Sequence, residues 1–466
     1  MFRRGLVIAA LAFASRAFAQ PTSDVPPVDQ PPPPVVEKPA EVTAVDGAAR
    51  NFEQAPEESH VVGSGILSGI GVGVSWIVRV IEAPFRGGIY LQARYQIATK
   101  VKDLLTNDAG TIGVYPDGSY ETTFGLSYGA RAFWKRAFDS TDEMAISAKT
   151  GGAFKIAAQY KLDAPRVAET PLYLRSRIRY EENINMYFAG IGNGPDTDGM
   201  NLAARASSEA TRFSQKRFLA SLGAGVDLGN HIKLGGTGIY NHRTFGAAEP
   251  GSGDPSIEQV YNTATLTGYN SGFDNLELSA DLEYDSRDTK GPTTSGVLAR
   301  GFFGGGSLVD SATYGHYGAE AAWFVEPFWP DRVLIFRGVV EGVIDRDDDI
   351  PFTELPRIGG ATFLRGYHTD TFRDKIATVG TIEYHYPIHN NVSGALFIDA
   401  GKVGRTFDDV YGNGIKDNWH LGYGGGLMLH TAKSVVIRID LAYGDGLNFY
   451  FVTDVLDAFR TREREL

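Results

Sequence analysis

Residues 359–367, which read Gly-Gly-Ala-Thr-Phe-Leu-Arg-Gly-Tyr, decide the fold of this chain. They lie in a predicted long loop, and two later predicted strands each carry one acid, Glu383 and Asp399. A guanidinium can bridge two carboxylates through its planar fork, and Gly366 lets the backbone approach closely. The pattern therefore predicts a loop that folds back into its own barrel, with Arg365 bound to both acids. The simpler alternative is a surface arginine in a flexible loop.

Apolar and polar residues alternate with a period of two from about residue 119 onward. In the segment 276–285 every even position is apolar and every odd position is polar or acidic, and segments 172–180 and 435–443 show a similar alternation. Successive side chains of a strand point to opposite faces, so these segments are strands. A soluble sandwich would also alternate. Here the polar face carries both charge signs over many strands, which favours a wet lumen and an all-β, antiparallel transmembrane barrel.

The alternation predicts sixteen strands. They lie near residues 120–129, 130–137, 143–151, 153–163, 171–186, 212–228, 231–243, 274–288, 295–306, 312–327, 331–346, 376–388, 392–404, 419–431, 434–444 and 447–454. On two of them Ile382 and Ile398 face lipid, which places Glu383 and Asp399 on the lumen face.

The N-terminal residues predict export. Residues 1–19 combine a basic start, a short apolar run and Ala-Phe-Ala, which are the parts of a cleavable signal peptide; an uncleaved anchor is the alternative. Residues 20–58 are proline-rich and predict a disordered linker. Residues 59–110 predict an amphipathic helical lead-in on the inner rim or membrane surface, with a transmembrane helix as the alternative. The barrel is predicted over 111–459, followed by a charged tail over 460–466.

Composition excludes several functions. The formal net charge of −12 argues against a nucleic-acid partner, and the absence of cysteine excludes disulfides and thiolate metal sites. The sequence has no Gly-x-Ser-x-Gly motif and no Ser/His spacing characteristic of a hydrolase. His385 is the only candidate acid–base residue, and a structural role is favoured for it. The acidic run 345–349 lacks the glycine and terminal glutamate of a calcium loop. We expect no enzyme activity, no cofactor and no metal site.

Several motifs, in this order along the chain, resemble those of the bacterial surface antigen superfamily, which includes the BamA and TamA outer-membrane assembly factors. Residues 359–367 resemble its loop-six motif, and the strands with Glu383 and Asp399 resemble the receiving strands. Residues 282–288 and 437–444 resemble its mid-barrel and penultimate strands. The resemblance implies sixteen strands and a sixth extracellular loop inserted into the lumen, where Arg365, Gly366 and Tyr367 form the docking motif.

The same resemblance implies a location in the bacterial outer membrane and a role in inserting or translocating proteins or lipids. The implied partners are outer-membrane lipid and lipopolysaccharide, the barrel assembly machinery during biogenesis, and client outer-membrane proteins or accessory proteins. A passive channel or structural barrel plugged by loop six is the alternative.

Two features depart from the family pattern. The stretch before the barrel is too short for the family's periplasmic POTRA domains, so we expect a barrel-only member. Gly446, Phe449 and Phe451 resemble a closing-strand assembly signal, but the last aromatic, Phe459, does not end the chain.

Overall fold

The computed structural model describes residues 105–138, 141–193, 210–251, 253–289, 291–308, 313–327, 330–345, 349–389, 392–412, 419–430 and 435–453. The predicted signal peptide, linker and charged tail lie outside these residues, as does all but the end of the predicted helical lead-in. Within the described ranges, no helix is long and apolar enough to cross a bilayer.

The described residues form a closed barrel of sixteen antiparallel strands, in which β1 pairs with β18 to complete the ring. This confirms the predicted fold class. The barrel strands are β1 (Ile112–Glu121), β2 (Gly125–Lys135), β3 (Glu143–Gly151), β4 (Phe154–Ala164), β5 (Leu172–Phe188), β6 (Thr211–Gly229), β7 (Ile232–Ala247), β8 (Phe273–Asp285), β9 (Gly296–Leu308), β10 (Thr313–Val325), β11 (Val333–Ile344), β14 (Ile376–His389), β15 (Val392–Gly404), β16 (His420–His430), β17 (Val435–Tyr443) and β18 (Leu447–Thr453).

Short elements occupy the loops at one rim. The connection between β11 and β14 contains a two-stranded ladder, β12 (Arg357–Ile358) with β13 (Phe372–Arg373). Helix α1 (Ile257–Val260) and a 3₁₀ turn (Thr263–Thr265) lie between β7 and β8, and helix α2 (Phe407–Tyr411) lies between β15 and β16.

The first predicted strand is wrong. We predicted strands over 120–129 and 130–137, whereas β1 ends at Glu121 and β2 begins at Gly125. The chain reverses between them, and Gly125 has a φ of 84°, which glycine adopts at little cost. The predicted strand therefore spans a real turn, and β1 occupies the sequence before it.

The two faces of the sheet differ as the alternation predicts. Ile382 and Ile398 are 51% and 57% exposed on the outside of the barrel, whereas Glu383 and Asp399 are each 1% exposed on the inside. Large apolar side chains on the outer surface include Leu276, Leu278, Leu282, Leu421 and Tyr423. An apolar outer wall around a charged interior is the arrangement of a transmembrane barrel.

The two rims are distinguished by loop length. Strand β1 starts and β18 ends at one rim, which we call the inner rim; the opposite, outer rim carries the long connections 189–210, 248–272, 345–375 and 405–419. In outer-membrane barrels the longer loops are extracellular. Residues 345–375 are the sixth connection at the outer rim and are called loop six below.

Candidate functional site

Loop six turns back into the barrel at its glycines. Gly359 and Gly360 have φ values of 121° and 86°, which favour glycine, and a side chain on Gly359 would overlap the carbonyl of His368. The returning segment packs against the inner wall through one apolar cluster. Its buried members are Ile358, Phe363, Leu364, Tyr367, Phe372, Ala377, Val379 and Val403.

Arg365 bridges the two acids that the sequence singled out. Its Nη1 donates to Glu383 at 2.7 Å, while Nε and Nη2 donate to the two oxygens of Asp399 at 2.8 and 2.9 Å. The Arg365 amide also donates to Asp399 at 3.0 Å, and the guanidinium lies 3.4 Å from the ring centroid of Phe397. Burial alone would lower the pKa of Arg365, but Asp399 and Glu383 raise it above its ordinary value. The loop is therefore held by a charged, bidentate contact.

A second arginine extends this contact into a network. Arg438 on β17 donates to the other oxygen of Glu383 at 2.9 Å and to Asp440 at 2.9 Å. His385 also contacts Glu383, and Thr381 donates to Asp399 at 2.8 Å. Two arginines and three carboxylates are thus buried together, and removal of one member leaves a charge without its partner.

Gly366 allows loop six to pass directly against the turn after β17. Its φ is 95°, and a Cβ there would lie 2.6 Å from the carbonyl carbon of Tyr443. On β16, a side chain on Gly422 would overlap the carbonyl oxygen of Arg365. Tyr367 follows and donates from its hydroxyl to the Leu421 carbonyl at 3.2 Å. Gly366 in the loop and Gly422 in the barrel wall therefore leave the space that the docked loop occupies.

A second apolar cluster, which we call the aromatic cap, lies at the outer rim and includes a residue of loop six. The side chain of Arg373 lies beneath it, 4.9 Å from the ring centroid of Phe188 and 5.8 Å from that of Phe352. The buried members of the aromatic cap are Phe188, Phe213, Ile257, Tyr261, Leu266, Tyr269 and Phe352. These members come from the outer ends of β5 and β6, from the β7–β8 connection and from loop six, so the aromatic cap packs these four elements together at the outer rim.

The described part of the seam between β1 and β18 is short. Three register pairs join these strands in the described residues, from Ser119 with Val452 to Glu121 with Tyr450, whereas β1 and β2 share ten.

The predicted assembly-signal residues lie on the β18 side of the seam. Gly446 has a φ of 117° in the turn before β18, and Phe451 is paired with Tyr120 across the seam. Phe449 packs edge-on against Tyr120, with 5.5 Å between the ring centroids. Their role as an assembly signal stays a prediction.

The other candidate residues that the structure describes take part in polar contacts with charged partners. The Nε2 of His385 contacts Glu383, so this histidine is part of the arginine network. Asp345 pairs with Lys375, and positions 346–348 of the acidic run lie outside the described residues. Within the part of the chain that the structure describes, no group of three or more histidine, aspartate and glutamate side chains could hold a metal ion.

Several members of the site were not predicted from the sequence. Strand alternation had placed Arg438 and Asp440 on the polar face of their strand, but it gave no reason to join them to Glu383. Tyr450 and Glu121, which contact loop six from the seam strands, were not singled out. Their contacts depend on closure of the barrel, which brings residues 329 positions apart into register.

Comparison with known proteins identifies the family. A model of the Omp85 superfamily domain matches residues 118–453. The structure is similar to BamA from Haemophilus ducreyi lacking POTRA domains 1–3, at 14% identity and a TM-score of 0.52, over 74% of this chain and 70% of that one. At this identity the likeness supports the fold alone.

Two further structures show weaker likeness. CdiB from Acinetobacter baumannii matches at 12% identity and a TM-score of 0.44, over 74% of this chain and 59% of that one. CdiB from Escherichia coli matches at 11% identity and a TM-score of 0.48, over 73% of this chain and 62% of that one. No curated protein matches the chain by sequence. Because the family model spans most of the chain, which confirms the resemblance drawn from its motifs, this protein belongs to the Omp85 superfamily of outer-membrane barrels.

Proposed function

We propose that this barrel assists the insertion or translocation of proteins or lipids at the bacterial outer membrane. The observation that carries the proposal is the seam, where three pairs join β1 to β18 within the described residues, next to interfaces of ten and seven described pairs. Each ladder pair helps to hold adjacent strands together, so we infer that the seam opens at a lower cost than either neighbouring interface.

The packed interior supports a lateral route over an axial one. Loop six fills part of the lumen and is fixed by Arg365, and the aromatic cap packs it against the outer ends of β5 and β6. A solute crossing along the barrel axis would have to displace both, whereas a client entering the membrane between β1 and β18 would not. Client outer-membrane proteins, lipopolysaccharide and accessory proteins at the inner rim are the proposed partners.

The test combines two measurements on the full chain in lipid vesicles and planar bilayers. We expect the barrel to raise the rate at which an unfolded precursor of a small outer-membrane barrel folds into vesicles by at least about tenfold over empty vesicles. We also expect small, unsteady conductance, because the lumen is plugged, and larger conductance for Arg365→Ala. Large, steady pores in the unaltered barrel, together with no acceleration of folding, would favour the passive channel and end the proposal.

A further inference from the structure

Loop six contacts β18 through two consecutive residues. The Gly366 amide donates to the hydroxyl oxygen of Tyr450 at 3.2 Å, and that hydroxyl donates to the Tyr367 carbonyl at 3.0 Å. The side-chain amide of Asn448 donates to the Gly366 carbonyl at 2.9 Å. Tyr450 and Asn448 are 0% and 2% exposed, so these bonds form away from water, where an unmade bond is costly.

The next two residues of loop six contact β1 and the turn that follows it. The Thr369 amide donates to the hydroxyl oxygen of Thr123 at 2.9 Å, and the Thr369 hydroxyl donates to Glu121 at 2.6 Å. The Nδ1 of His368 lies 3.1 Å from the same Thr123 oxygen. Loop six therefore reaches both strands of the seam within four residues.

The two sets of contacts meet at one level of the seam. Glu121, which holds Thr369, is the register partner of Tyr450, which holds Gly366 and Tyr367. Loop six thus adds a side-chain bridge across the seam, beside the three backbone pairs that the described residues form there. Arg365, directly before the bridge, fixes the loop to β14 and β15, so the bridge cannot follow one strand as it moves away.

We propose that residues 366–369 form a clasp that holds the seam shut, and that the seam opens only when this clasp releases β1 or β18. This inference rests on the proposed function, because it concerns how the seam used there is kept closed. A clasp needs both of its ends. Loss of the β1 end or of the β18 end should therefore have the same effect as loss of both.

Thr369→Val removes the bond to Glu121, and Tyr450→Phe removes the bonds to Gly366 and Tyr367, so each variant weakens one end with little change in shape. Thr378→Val and Tyr314→Phe are matched controls, because their hydroxyls bond to Val339 and Asn275, away from the seam. The chain has no cysteine, so spin labels can be attached at Leu126→Cys on β2 and Leu447→Cys on β18, which flank the seam and are 55% and 63% exposed. Distances between the labels would be measured in the full chain in lipid nanodiscs.

We expect the fraction of widely separated labels to rise about fivefold in either clasp variant, which corresponds to about 1 kcal/mol of lost hydrogen bonding. The double variant should match the singles, and the controls should match the parent. If Tyr450→Phe does not fold, Asn448→Ala tests the same end.

Two outcomes would overturn the clasp: parental distances in both variants, or a double variant whose effect is the product of the singles. The measurement needs no client. Increased opening without any insertion activity would therefore contradict the proposed function and leave the clasp in place.

Discussion

Replacing Arg365 with alanine should lower the free energy of unfolding of the barrel by about 3–5 kcal/mol. The change removes two guanidinium bonds from Asp399 and one from Glu383, inside a wall where each acid is 1% exposed. Asp399 keeps the bonds from the Thr381 hydroxyl and from the backbone amide of residue 365, but these donors carry no charge. The measurement is urea unfolding in detergent or lipid, followed by the heat-dependent gel shift of the folded barrel. We expect loss of the shift at a lower temperature and lower abundance in the membrane.

Partner substitutions test whether the arginine acts through these acids. Glu383→Gln with Asp399→Asn should also destabilise the barrel. The triple variant that adds Arg365→Ala should lose less free energy of unfolding than the sum of the separate losses, because residues of one network couple. Glu383→Gln alone should lower the free energy of unfolding by more than the loss of one ion pair would, because Glu383 also accepts a bond from Arg438.

Lys155→Ala is the control: its ion pair with Glu182 is similar in length, at 3.2 Å, but Lys155 is 59% exposed. That variant should change stability by less than about 1 kcal/mol. Fully additive effects would show that the docked arginine is not held as described.

Side chains at Gly366 and Gly422 should expel loop six from its docked position. At Gly366 the cost combines strain at a φ of 95° with a clash against the Tyr443 and Gly444 backbone, together about 2–6 kcal/mol. At Gly422 a Cβ meets the Arg365 carbonyl, and the loop cannot shift because the Arg365 side chain is bonded to two strands. We expect Gly366→Ala and Gly422→Ala to share the defects of Arg365→Ala and to expose loop six to protease.

The chain offers matched controls for this effect. Gly338 on β11 and Gly380 on β14 are barrel glycines around which an added Cβ meets nothing within 4 Å. Gly338→Ala and Gly380→Ala should stay within about 0.5 kcal/mol of the parent. If Gly366→Ala and Gly422→Ala behaved like these controls, the close approach of loop six to β16 and the β17–β18 turn would be wrong.

The sequence predicted the location of the candidate site well because strand alternation is a local property. Ile382 and Ile398 face outward, so their neighbours Glu383 and Asp399 must face inward, and a single arginine in a glycine-rich loop can reach both. Neither step requires knowledge of the barrel's size or of how its strands are staggered.

Contacts that depend on closure could not be predicted in this way. Arg438 meets Glu383 across β15 and β16, and Tyr450 lies opposite Glu121 at the seam. Both relations follow from the stagger of all sixteen strands, which alternation does not specify.

The first strand was missed for a local reason. Residues 116–118 read Pro-Asp-Gly, a combination typical of turns, yet they lie inside β1. The real turn at 122–124 has no proline or asparagine, and only Gly125 signals it.

The most direct test of the account is a reversible lock on the seam. Ser119→Cys with Val452→Cys places one cysteine on each of two register partners, and Ala299→Cys with Ala321→Cys does the same between β9 and β10 as a control. The folding rate of a client precursor into vesicles would be measured for each barrel, oxidised and then reduced. If clients enter the membrane through the open seam, oxidation of the seam pair should lower the rate at least about tenfold, reduction should restore it, and the control pair should have no effect. An oxidised seam barrel as active as its reduced form would contradict insertion through the seam.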